Sequence, residues 1–169
     1  WNTRKAQNAD FWKTAAKHFS SVAGKLKSRK KVTSPVNLAH ALMLAEFIAA
    51  KIDFRMKLDA AYAKRSKKAL KDAARSAADM ARLCKKLEAS WRRQWLARNK
   101  PFGLEAIQAR MGALMQRYLE AENRIGELIS GDIDGIAELD EAGGIPAQAM
   151  AKSGVHAQFH RLITSSNIL

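Results

Sequence analysis

Cysteine is all but missing from this chain: Cys84 is the single one in 169 residues. No internal disulfide can form, and no Cys/His spacing prepares a zinc site. Cys84 falls on the apolar side of a helical pattern with no activating neighbour in sequence. A buried, inert thiol is expected, and a reducing, cytoplasmic location fits. Long apolar runs are missing too. The most apolar stretch, Leu38 to Ala50, contains His40 and Glu46 and falls short of the roughly 18 uncharged residues of a membrane span. The N-terminus carries Asp10 and lacks an apolar run followed by a small-residue cleavage site, so it does not read as a signal peptide. Glycines at Gly24, Gly126, Gly131, Gly135, Gly143 and Gly144 build no phosphate-cradling turn between a strand and a helix, which leaves nucleotide binding without support.

Acidic residues are scarce in one part only. The chain holds 30 Lys and Arg against 16 Asp and Glu, a net charge of +14. Residues 1–100 carry 25 basic and 7 acidic side chains, hence +18, while residues 101–169 carry 5 and 9, hence −4. Such asymmetry fits a polyanionic partner, an acidic neighbouring domain, or two parts of one molecule that face each other.

What the sequence has in abundance is helical periodicity. Trp12, Ala15, Phe19, Val22 and Leu26 alternate spacings of three and four, a core stripe of a helix over about residues 3–27. Ser34 and Pro35 start a second helix as N-cap and first helical residue. It carries Leu38, Leu42, Ala45, Ala49, Ile52 and Met56 and is apolar nearly all round to Ala50, so it should be buried on more than one face. Ser66 caps a third helix with Leu70, Ala73, Ala77, Met80, Cys84, Leu87 and Trp91, which stops near Asn99 because Pro101 follows. A fourth runs from about Gly103 to Ser130, with Gly131 placed for a left-handed end. Residues 136–141 form a short helix, and Gly143-Gly144-Ile145-Pro146 a turn. The expected fold is all-α: an elongated antiparallel bundle of about four long helices. Residues 1–146 make the bundle, and residues 147–169 an irregular tail laid on it. Because it begins with Trp1, the chain reads as the C-terminal domain of a longer protein.

Chemistry-bearing residues are few. Asp140-Glu141 is the only adjacent acidic pair, and its context of solvated charge and glycine suits a helix end better than acid–base catalysis. His156 and His160 lie four apart, but no third ligand accompanies them. His18 and His40 stand alone within helices. No catalytic, cofactor or metal residue is therefore assigned. Trp91 and Trp95 share a helix face ringed by Arg92, Arg93 and Arg98. Such a face can stack bases or sugars, yet large rings at this spacing are more often core.

One stretch is chemically specific: Trp95, Arg98, Asn99-Lys100-Pro101-Phe102-Gly103-Leu104-Glu105, Arg110 and Gly112. Asn99 to Pro101 stop a helix, Phe102 is placed to fold back as a staple, Gly103 permits close entry, and Gly112 permits approach of another backbone. Arg110 is in reach of Glu88 or the Trp95 ring. With Trp91, these residues form a structural or interface corner. The run from Trp95 to Gly112 resembles a segment in the C-terminal helical domain of bacterial β-N-acetylhexosaminidases of glycoside hydrolase family twenty. The likeness extends to Tyr118-Leu119, Ile125, Ser130 to Asp134 and Glu138 to Glu141, and more weakly over residues 44–71. It implies an accessory domain that supports an upstream catalytic barrel and mediates dimerisation. In that family the catalytic Asp-Glu pair lies on the barrel, so no catalytic residue is carried over. The alternative is an independent basic bundle that binds nucleic acid or another polyanion.

Overall fold

The structure, a computed structural model, describes residues 9–29 and 35–140. Five helices occupy them: α1 (Ala9–Lys27), α2 (Pro35–Lys64), α3 (Lys67–Leu96), α4 (Leu104–Ser130) and the short α5 (Ala137–Asp140). No strand occurs among the described residues. The fold is all-α, with four long helices packed one against the next: α1 on α2, α2 on α3, α3 on α4.

Local chemistry sets the boundaries. α2 opens at Pro35, whose fixed φ and missing N–H suit a first helical position. Its expected cap, Ser34, and residues 3–8 of the first helix lie outside the described residues. Ser66 caps α3: its backbone is extended and its Oγ accepts from the Ala69 N–H at 3.4 Å. The residue between α2 and α3, Arg65, sits at φ +48°. This left-handed position would suit glycine. Arg65 is held there by its side chain, which lies over the Tyr62 ring at 4.2 Å and donates to the Asp134 carbonyl at 3.0 Å. Gly131, at φ +92°, ends α4 with its N–H on the Glu127 carbonyl.

α2 is covered on several sides, as an all-round apolar helix requires. α1 lies along one side and is tied at its C-terminal end by Lys27 to Glu46 at 2.5 Å. α3 lies along another, through the His40–Ser90 and Asn37–Gln94 contacts. From α4, Tyr118 sets its ring edge-to-face between Phe47 and Phe54. By length and composition alone α2 could cross a membrane; here α1 and α3 pack along it, and α4 reaches it through Tyr118. The core runs through Phe54, Leu58, Ala73, Ala77, Met80, Cys84, Leu87, Tyr118 and Ile125. Small residues on α3, Ala73 and Ala77, are fully buried and bring its backbone close to its neighbours.

One expectation from sequence does not hold here. Trp12 is not core: it is 38% exposed and stacks edge-on with the exposed Phe11. The buried residue of α1 is Ala23, beside the expected stripe. α3 runs to Leu96, and its last turn stops near Asn99 as expected, with the Asn99 N–H still on the Trp95 carbonyl at 2.8 Å.

Candidate functional site

The corner between α3 and α4 is organised by Trp95. Its indole Nε1–H donates to the Lys100 carbonyl at 2.8 Å, and its own carbonyl accepts the Asn99 side-chain amide at 3.2 Å. Gly103 stands at φ +90° with its Cα beside the Trp95 ring, where an added Cβ would lie 3.5 Å from Cζ2. The Gly103 N–H is taken by the Glu105 carboxylate at 2.9 Å, which starts α4 in place of a capping hydroxyl. Trp91, one turn earlier, meets His40 edge-to-face at 4.8 Å. Both indoles thus spend their polar atoms or faces on their own chain. The cleft between Trp91, Gln94, Trp95, Arg98 and Asn99 has a volume of about 100 Å³, too small for a sugar ring or a base.

Three corner residues do otherwise than the sequence suggests. Phe102 is 90% exposed and staples nothing. Gly112 has no close neighbour: a Cβ there would meet nothing within 4 Å. Arg110 is exposed, and it is Gln108 that reaches Glu88, at 3.0 Å. Arg98, Lys100 and Pro101 are exposed on the outer side of the turn.

The buried polar groups are satisfied and inert. His40 Nδ1 and Ser90 Oγ lie 3.3 Å apart, and burial holds the His40 pKa below its usual value, so the ring is neutral at pH 7. The Cys84 thiol donates to the Met111 carbonyl, and burial first, then the Glu88 charge, pushes its pKa up to about 11. Such a thiol is no nucleophile near neutrality. Among the described residues no three His, Cys, Asp or Glu side chains gather as metal ligands. His156, His160 and Glu141 lie outside the described residues.

Asp140 is engaged structurally. Its Oδ1 accepts from the Tyr62 hydroxyl at 2.8 Å, and that hydroxyl in turn accepts the Ile136 N–H at 2.9 Å and the Arg65 guanidinium at 3.2 Å. Gly135 makes room, since a Cβ there would fall 2.6 Å from Asp140 Oδ2 and 3.3 Å from the Tyr62 hydroxyl. Ile136 is fully buried as a result. This latch escaped the sequence reading. Its sequence signal is the apolar spacing of Ile133, Ile136 and Leu139 inside an acidic run, and the partner lies on α2.

Two surfaces remain. On α3, Lys68, Lys71, Lys85, Lys86, Arg92 and Arg93 are exposed, but the basic face is interrupted by Asp72 and Asp79, which pair with Arg75 and Arg82. Between α1 and α4 an apolar groove of about 500 Å³ opens, floored by α2 and walled by Phe11, Trp12 and Phe19. Lys51 and Arg117 stand at its rim. Burial, with help from the Arg117 charge, holds the Lys51 pKa below the usual lysine value.

Compared with known proteins, residues 5–155 match the family model described as the Glycoside Hydrolase 20C C-terminal domain. No curated protein matches the chain.

Proposed function

Because the chain belongs to the glycoside hydrolase 20C C-terminal domain family, we propose that it is the accessory helical domain of a β-N-acetylhexosaminidase-like enzyme. It buttresses the catalytic barrel of the same polypeptide and supplies no catalytic residue. The observation that carries this reading is how the family-like corner is used. Trp95, Asn99, Gly103 and Glu105 direct their polar atoms or their close approaches at one another, not into a cavity. A corner so engaged fixes the angle between α3 and α4. Its outer side, with Phe102, Arg98 and Lys100 exposed, is the natural footing for a neighbouring domain.

The polyanion alternative gains nothing from the geometry. Its aromatic face is occupied by His40, Lys100 and Gly103, and acidic residues break the basic face of α3. Self-association belongs to the accessory reading, through the exposed apolar residues the domain carries.

The 169-residue chain, assayed alone on a chromogenic N-acetylglucosaminide, should show no turnover. Hydrolysis above background would place the chemistry inside this domain and overturn the proposal. In the enzyme that carries the domain, Phe102→Asp should lower the unfolding temperature of the barrel while leaving that of the isolated domain unchanged. An unchanged barrel would mean that the footing lies elsewhere.

A further inference from the structure

Phe102 is 90% exposed, the most open large apolar side chain among the described residues. A lone exposed apolar residue is ordinary. The backbone that carries this one is not. On one side the Trp95 indole holds the Lys100 carbonyl at 2.8 Å, and Pro101 fixes its own φ. On the other the Gly103 N–H lies on the Glu105 carboxylate at 2.9 Å, and the Leu104 N–H reaches back to the Pro101 carbonyl at 3.1 Å. Gly103, at φ +90° and ψ −15°, has the backbone of the third residue in a type II turn. Phe102 therefore occupies the second position of a turn that closes across it. Its ring is presented by backbone that is already fixed, so docking it costs little conformational freedom. Exposed, pre-ordered aromatics of this kind are what anchor interfaces.

The charge around the ring says what it docks into. Residues 91–110 carry five basic side chains, Arg92, Arg93, Arg98, Lys100 and Arg110, against the single acidic residues Glu105. All five are exposed, and none pairs with an acid among the described residues. Glu105 itself is spent on the Gly103 N–H. A strand of nucleic acid needs successive stacking faces, and the neighbouring rings of Trp91 and Trp95 are turned to His40 and Gly103. The same end of a second copy would set cations against cations. The surface that fits is a protein one, with a pocket for a single aromatic ring and carboxylates at its rim.

We infer that Phe102 inserts into an apolar pocket with an acidic rim on the catalytic domain of the same polypeptide, and that Arg98 and Lys100 meet the rim carboxylates. This rests on the accessory reading and deepens it by naming the chemistry of the surface on which the corner stands. A glycoside hydrolase C-terminal domain is linked to a catalytic domain before it in the chain, so that neighbour is at hand in every molecule.

Two cross-links in the full-length enzyme test it. With p-benzoylphenylalanine in place of Phe102, irradiation should join position 102 to a peptide of the catalytic domain, in the monomer band. In the parent enzyme a carbodiimide should join the Lys100 amine to an Asp or Glu of that same surface. This second adduct should vanish in Lys100→Arg, whose guanidinium does not couple, and fall severalfold in Phe102→Ala, where the anchor is lost. A photo-adduct between copies, to nucleic acid or to nothing overturns the proposal. So does a Lys100 adduct confined to carboxylates of this domain, which would remove the acidic rim. The accessory reading is judged separately, by the turnover of the 169-residue chain alone. Absent cross-links together with absent turnover would leave that reading standing and remove this one.

Discussion

A methyl group added at Gly112 meets nothing within 4 Å, whereas one added at Gly135 lands 2.6 Å from Asp140 Oδ2. The first is a mid-helix glycine whose only effect is to loosen the unfolded chain. Gly112→Ala should therefore stabilise the domain by roughly 0.5–1 kcal/mol. Gly135→Ala must push Asp140 off the Tyr62 hydroxyl, a loss of about 1 kcal/mol. Gly103→Ala keeps its space but not its backbone, since φ +90° strains any side chain, at a cost of roughly 1–2 kcal/mol. Thermal unfolding of the three variants should order them with Gly112→Ala above the parent and the other two below. A fall for Gly112→Ala would return Gly112 to the role of a close-packing position. Two buried groups contribute to the pH dependence of stability in opposite directions. The neutral His40 ring has a folded pKa below its unfolded value of 6.5. Its contribution is present above pH 6.5 and is lost as pH falls below it, because only the unfolded chain then takes up the proton. Cys84 works in the opposite sense. Its folded pKa of about 11 lies above the unfolded 9.0, so its contribution is intact below pH 9 and is lost as pH rises from 9 to 11. Denaturant titrations across pH 5–11 should show both shoulders, and Cys84→Ala should flatten the alkaline one between pH 9 and 11. An alkaline shoulder unchanged in Cys84→Ala would assign it to another group.

At the scale of elements, what the sequence shows plainly is what local chemistry decides. Pro35, Ser66 and Gly131 act within a turn of themselves, and the structure puts helix ends at all three. The apolar periodicity of α3 likewise anticipates its buried face from Leu70 to Leu87, Cys84 included, whereas on α2 the stripe through Leu38, Leu42 and Met56 misses the core residues Phe47, Phe54, Leu58 and Ala61. What escapes a linear reading depends on a partner far along the chain or on a direction in space. Phe102 has the composition of a staple, but it stands in solvent. Arg65 takes a position that composition reserves for glycine, held by Tyr62 and Asp134. The turn between α3 and α4 was legible as a turn. That Trp95 is its centre appears only with the ring and the Lys100 carbonyl in place. The short helix expected over residues 136–141 is present as α5, but its acidic composition gave no sign that Ile136 enters the core fully buried. Ile136→Ala should accordingly cost about 2–4 kcal/mol. Chemical denaturation measures this directly, and a loss below 1 kcal/mol would mean that the segment is peripheral after all.

Taken whole, the molecule is a series of hairpins laid down in chain order, each helix finding its main partner next to it in sequence. The segment after α4 folds back onto the end of α2, where Arg65 donates to the Asp134 carbonyl and to the Tyr62 hydroxyl. That grip has a consequence in time. Tyr62 and Asp140 are 78 residues apart, and they cannot meet until α2, α3 and α4 are all in place. Hairpin contacts close cheaply and early, while one spanning most of the bundle closes late. The latch is then absent from the folding transition state, and its strength governs how slowly the native domain opens. Tyr62→Phe, which removes about 1 kcal/mol, should speed unfolding roughly fivefold and leave the refolding rate where it was. Stopped-flow chevrons would show the change in the unfolding arm alone; slower refolding instead would make the latch part of the nucleus. The Tyr62 hydroxyl is, in this sense, a clasp that sets the lifetime of the folded domain and has no part in how quickly it forms.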